Sequence, residues 1–147
     1  MRPSSELVDI LLVEDSDADA ELTMRALRKA ALAHRVVWVK DGQEALDFLY
    51  SEGAFAGRSS QGPRLVLLDL KLPRLNGIDV LRRIKEDAAR KAIPVVMLTS
   101  STEERDIVQS YACGVNSYLV KPIDFDKLGE QVVNAGQYWL LSNRLPT

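Results

Sequence analysis

A chain of 147 residues with net charge −2, 46% of it hydrophobic and 27% charged, has the composition of one globular domain that builds its core without disulfides. Its 19 basic and 21 acidic residues leave no basic footprint for nucleic acid, and no apolar run approaches the roughly 20 residues that cross a bilayer. The lone Cys113 excludes an internal disulfide and, with His34 as the only histidine, cannot complete a zinc site; with no signal-peptide pattern at the start, a cytoplasmic location is expected.

Leu7–Val13 reads as a fully buried first strand that stops abruptly in Glu14, Asp15, Ser16 and Asp17. The next segment is helical, with Leu22, Ala26, Leu27 and Ala30 at steps of three and four; Asp17 and Asp19 read as helix-start acids that favour its free amides and dipole. Arg35–Val39 is the second strand. A second helix begins at "DGQEALDFLY", followed by a Gly-, Ser- and Pro-containing loop from Glu52 to Arg64 with room for an extra helical turn. Arg64–Leu68 is the third strand, ending on Asp69. Ile78, Leu81 and Ile84 give the third helix its inner face. The fourth strand, "IPVVMLTS", leads to a helix over Thr102–Ala112 with Ile107, Val108 and Tyr111 inward. The fifth, "NSYLVKP", stops at Lys121 and Pro122. Asp124 then caps a last helix whose inner stripe is Phe125, Leu128, Val132, Ala135 and Trp139.

Strands that are continuously apolar, each followed by a helix, indicate α/β architecture with a parallel sheet covered on both faces. Right-handed crossovers bring all strand C-termini to one edge, where ligands bind. Glu14, Asp15, Asp69, Thr99 and Lys121 therefore meet in one crevice. Singly, each has an ordinary explanation: a solvated acid, a helix cap, a surface charge. Together, three crowded carboxylates repel one another and call for a hard cation. Mg²⁺ suits Asp15, Asp69, a loop carbonyl and waters, with Glu14 holding one water; Mn²⁺ is an acceptable substitute. The cation and Lys121 cancel the three negative charges, and a phosphoryl group arriving there is clamped by the cation, Lys121 and Thr99. Asp69, central among them, is the first choice as acceptor. Rossmann and P-loop sites are disfavoured because "VEDSDADA" has no glycine. A haloacid-dehalogenase-type phosphatase would need an acid where Lys71 stands. An inert protein-binding scaffold is the alternative from another class.

The stretches "LLVEDSDAD", "VKDGQEALDFL", "LVLLDLKLPRLNGIDVLRRIK", "IPVVMLTSS" and "GVNSYLVKPIDFDKL" resemble, in order, those of a response-regulator receiver domain of the CheY-like superfamily. The resemblance spans essentially the whole chain. It implies a doubly wound five-stranded sheet of order 2-1-3-4-5 flanked by five helices, with a core over about 7–141, and one receiver domain over 1–147 without an effector domain. It makes Asp69 the phosphoacceptor, Glu14 and Asp15 the metal acids, Thr99 the switch hydroxyl, Tyr118 the switch aromatic and Lys121 the phosphate-binding lysine. Lys71 lends its backbone carbonyl to the metal, and the Lys121–Pro122 bond is expected to be cis. Lys71 and Ser101, beside the acceptor, are expected to tune phosphoryl lifetime. Such a protein is not a turnover enzyme but assists its own phosphotransfer and dephosphorylation. "SYACGVNSYLVKP" and "GQYWLLSNRLPT" are similar to single-domain regulators paired with bacterial phytochromes. That implies a bacteriophytochrome histidine kinase as partner, a homodimer through helix 4, strand 5 and helix 5, a downstream phosphotransfer or effector protein, and no nucleic acid or membrane. On phosphorylation Thr99 is expected to move toward the phosphoryl group and Tyr118 to turn inward.

Overall fold

The computed structural model describes residues 8–33, 35–58 and 61–146; Leu7, His34, Ser59, Ser60 and Thr147 lie outside the described residues. Strands β1 (Ile10–Val13), β2 (Val36–Val39), β3 (Leu65–Leu68), β4 (Val95–Thr99) and β5 (Ser117–Val120) alternate with helices α1 (Asp17–Lys29), α2 (Gly42–Tyr50), α3 (Gly77–Glu86), α4 (Glu104–Ala112) and α5 (Phe125–Gly136). The sheet order is β2-β1-β3-β4-β5 with every neighbouring pair parallel, the expected doubly wound arrangement. A wider, π-type turn over Gln137–Ser142 extends α5. Among the described residues no helix is long and apolar enough to cross a membrane.

Successive strand residues point to opposite faces, and that alternation splits the core in two. Leu11, Val13, Val66, Leu68, Val95 and Met97 pack under α2 and α3, against Phe48, Leu49, Leu81 and Ile84. Ile10, Leu12, Leu65, Leu67, Val96 and Leu98 pack under α1 and α5, against Leu27, Leu128 and Val132. Each fully buried aliphatic side chain contributes about 1.5–3 kcal/mol relative to exposure, which is why the central strands read as unbroken apolar runs.

The helix starts are built by side chains. Ser16, Asp41 and Asn76 each accept the amide of the residue three ahead, and Asp124 accepts those of Asp126 and Lys127, as its position predicts. The segment after α2 contains the extra turn, a 3₁₀ turn over Gly53–Phe55. Arg58 then folds back, donating from Nη2 to the Phe48 carbonyl at 2.9 Å, with its guanidinium 3.8 Å from the Phe48 ring centre. In this way the segment caps the end of α2, a helix whose last turn has no basic residue of its own.

Two expected faces differ. Val108 and Tyr111 are 58% and 53% exposed rather than inward. The inner stripe of α4 is Asp106, Ile107 and Ser110, and at 3.6 residues per turn Val108 falls on the far side. With α3 as the helix it packs against, α4 buries a narrower stripe than its apolar content suggests. Phe125, the first residue of α5, is 52% exposed, because the buried stripe starts one turn later at Leu128. Ala135 and Trp139 are half-buried as expected, with Trp139 packed against the α1–α5 core. The Lys121–Pro122 bond is trans, as are all peptide bonds among the described residues; trans is the default even before proline.

Candidate functional site

The C-terminal ends of β1, β3, β4 and β5 lie side by side, and each of these strands runs on into polar residues. Glu14 and Asp69 continue the ladder: the Glu14 amide donates to Val39 O and the Asp69 amide to Val13 O, both at 3.0 Å. Both acids are buried, Glu14 at 3% and Asp69 at 8% exposure. Behind Asp69 the chain must pass close to α3. A Cβ on Gly77 would sit 2.2 Å from the Asp69 carbonyl oxygen, so only glycine allows α3 to begin there.

Lys121, whose amide bonds Thr99 O at 2.8 Å, turns its side chain into the crevice. Its Nζ donates to Glu14 Oε1 at 2.6 Å, Asp19 Oδ2 at 2.9 Å and Asp69 Oδ2 at 3.1 Å. One carboxylate oxygen from each of Glu14, Asp15 and Asp69 lies within 4.8 Å of the others, Asp15 being the exposed member. That spacing and an all-oxygen donor set fit a divalent cation of the hard kind. The electrostatics reflect the crowding. Burial pushes the Glu14 carboxyl up to about 7, with the hydrogen bond from Lys121 pulling it back and the charge of Asp69 adding to the rise. Burial alone would lower Lys121, but the carboxylates around it overcome this and hold its ammonium above the ordinary lysine value.

Asp15 and Lys71 share the wall of an adjoining cleft of about 600 Å³, with Asn76, Asp106 and Gln109 on its other sides. Thr99 is buried at 1% exposure, and its Oγ1 accepts the Ser101 amide at 3.3 Å. Ser101 is a junction. Its hydroxyl donates to Asp106 of α4, and its carbonyl accepts the Tyr118 hydroxyl at 3.0 Å. The Tyr118 ring is half-buried against the α2–α3 core.

The structure thus brings together Glu14, Asp15, Asp69 and Lys121, with Thr99 on the neighbouring strand end, Lys71 on the cleft wall and Tyr118 one step removed through Ser101. Two participants went unread in the sequence. Asp19 looked like a helix-start acid; it is one, but its carboxylate also reaches Lys121. Trp38 lies in the second strand, and its indole N–H donates to the Glu14 carbonyl at 2.8 Å and fixes the acidic loop to β2. No spacing rule signals either contact, since both depend on side chains crossing between elements.

Comparison with known proteins adds the family. Residues 10–133 match the response regulator receiver domain. The chain is 48% identical over 138 residues to the probable methanogenesis regulatory protein FilR2 of Methanothrix harundinacea, covering 93% of this chain and 86% of that protein. It is 40% identical over 137 residues to response regulator Rcp1 of Synechocystis sp., covering 93% and 92%; the structure of the Mn²⁺-bound form of Rcp1 aligns with a TM-score of 0.87 at 39% identity, over 95% of this chain and 99% of that one. The phosphorylated cyanobacterial phytochrome response regulator RcpA aligns with a TM-score of 0.89 at 42% identity, over 96% and 99%.

Proposed function

The chain belongs to the response regulator receiver family, whose members work in phosphorylation-based two-component signalling rather than as turnover enzymes, and from that premise we propose that Asp69 is its phosphoacceptor. The observation that carries this reading is the buried Asp69 carboxylate, 3.1 Å from the Lys121 ammonium and within 4.8 Å of acceptor oxygens on Glu14 and Asp15. Mg²⁺, with Mn²⁺ as a substitute, would be held by Asp15, Asp69 and the Lys71 carbonyl, with Glu14 through a water. When bound it supplies charge neutralisation for the incoming phosphoryl oxygens. Asp69 provides the attacking carboxylate oxygen, and a bond forms to phosphorus as the bond to the donor breaks. Lys121 takes one phosphoryl oxygen and the Thr99 hydroxyl another. The chain's own residues thus assist both its phosphorylation and its dephosphorylation, with Lys71 and Ser101 tuning the phosphoryl lifetime.

Thr99 moving toward the phosphoryl group draws on Ser101, whose amide it holds, and Ser101 in turn holds Tyr118 and, through Asp106, the start of α4. The affected face carries exposed Val108 and Tyr111 on α4, Val120 on the edge strand β5, and Ile123 and Phe125 before and at the start of α5. Its occupant in this reading is a second copy of the chain. The match to Rcp1 over most of both chains supports reading this chain as a receiver unit whose output passes to an effector or phosphotransfer protein.

Incubation with a small phosphodonor and Mg²⁺ is expected to add one phosphoryl group by intact mass; an unchanged mass would favour a phosphorylation-independent scaffold. In sedimentation the phosphorylated chain is expected to shift toward dimer, and identical profiles before and after would remove the α4–β5–α5 face from the mechanism. Likeness to the phytochrome response regulator RcpA supports a phytochrome-type histidine kinase as donor, whereas the 48% identity to the probable methanogenesis regulatory protein FilR2 supports a donor of another kind. Faster transfer from a bacteriophytochrome kinase than from other histidine kinases is expected; the reverse order would select the second reading.

A further inference from the structure

Lys121 is saturated. An ammonium has three N–H donors and no more, and here they go to Glu14, Asp19 and Asp69. No donor remains for a phosphoryl oxygen, so phosphoryl binding requires at least one of these bonds to be released. Which one persists is decided by what else each carboxylate does. Glu14 and Asp69 belong, with Asp15, to the cluster whose oxygens converge for a cation; Asp19 does not. Asp69 also becomes the attachment point, so its bond to Lys121 passes to the phosphoryl group. Asp19 has no competing duty. It stands on a rigid base, because its amide is held by the Ser16 hydroxyl at 3.2 Å in the first turn of α1. Its side chain is 23% exposed, so one edge of the carboxylate faces solvent while the other holds Lys121.

We propose that Asp19 is a positioning residue for phosphoryl binding: it retains the Lys121 ammonium over Asp69 while Glu14 and Asp69 turn to other partners, leaving two N–H donors aimed at phosphoryl oxygens. A free lysine side chain spreads over many rotamers, and the single bond to Asp19 removes most of that freedom before the phosphoryl group arrives. The inference rests on the phosphoacceptor reading above.

Beryllofluoride with Mg²⁺, a phosphoryl mimic, separates the two when titrated against the full chain by calorimetry. Asp19→Ala is expected to bind it about tenfold more weakly, while Asp19→Asn, which keeps an oxygen acceptor, stays within about threefold of the unsubstituted chain. In metal-free protein the Lys121 ammonium protons, followed by nitrogen-detected NMR, are expected to exchange faster with solvent in Asp19→Ala than in Asp19→Asn. Unchanged affinity in Asp19→Ala, tighter binding by both variants, or equal weakening of both would overturn the proposal, the last two by making charge rather than the hydrogen bond decisive. No binding by the unsubstituted chain would instead overturn the phosphoacceptor reading, and this inference with it.

Discussion

Asp69→Asn is expected to abolish phosphoryl uptake while leaving the metal-free fold at least as stable as before. The first half follows from chemistry: an amide oxygen is not the nucleophile that a carboxylate is, and no other acid in the crevice occupies the same place beside Lys121. The second half follows from crowding. Glu14 and Asp69 are both buried beside one ammonium, and the charge of Asp69 adds to the upward push on Glu14. Asparagine removes that charge and keeps an oxygen that can accept from Lys121 Nζ, now 3.1 Å from Oδ2. A gain of about 1 kcal/mol in unfolding free energy is expected in chelator. Intact mass and urea unfolding check the two halves separately. Undiminished phosphoryl uptake would move the acceptor elsewhere, and a clear loss of stability would mean that the ion pair outweighs the repulsion.

Lys121→Ala should do the opposite to stability, and its cost should grow with pH. The Glu14 carboxyl titrates near 7 in the fold against 4.5 in its ordinary state. A group raised in this way contributes stability that is fully present below 4.5 and lost as pH climbs through about 7. Lys121 opposes the rise through its hydrogen bond, so removing it moves Glu14 further up and deepens the loss on the alkaline side. The ammonium itself is charged throughout this window because its value is raised, and its own titration contributes nothing to the slope. In chelator the substitution is expected to cost about 3 kcal/mol at pH 8, where buried acids are left unpaired, and about 1 kcal/mol at pH 5, where a protonated Glu14 relieves them. Urea unfolding at the two pH values measures this difference; an equal cost at both would show that Glu14 is not the group being compensated.

The reach of sequence reading differs sharply between the two kinds of residue in this protein. Strand residues such as Leu11, Leu67 and Val96 were legible because a parallel strand under two helix layers is buried on both faces, and nothing but apolar side chains fits there. The acids at the strand ends were legible for the same reason inverted: Glu14 and Asp69 break apolar runs where right-handed crossovers bring the chain to one edge. Peripheral helices were less so. The apolar residues Val108, Tyr111 and Phe125 suggested inward faces, but α4 and the first turn of α5 bury narrower stripes than those residues imply. Asp19 and Trp38 were not legible as site residues at all, since their contacts join α1 to β5 and β2 to the loop after β1.

By itself, then, the sequence determined the order of strands and helices, the two-sided core and the set of acids, hydroxyl and amine that must share an edge. These come from local periodicity and from chain topology, which any one segment carries within itself. Only the tertiary structure decided how the charges are shared: that one ammonium is divided among Glu14, Asp19 and Asp69, that Glu14 is held near neutrality, and that Thr99 and Tyr118 are joined through Ser101. Such couplings depend on distances of about 3 Å between residues as many as 107 positions apart, and on the burial that strengthens them, and neither is written in any single stretch of chain.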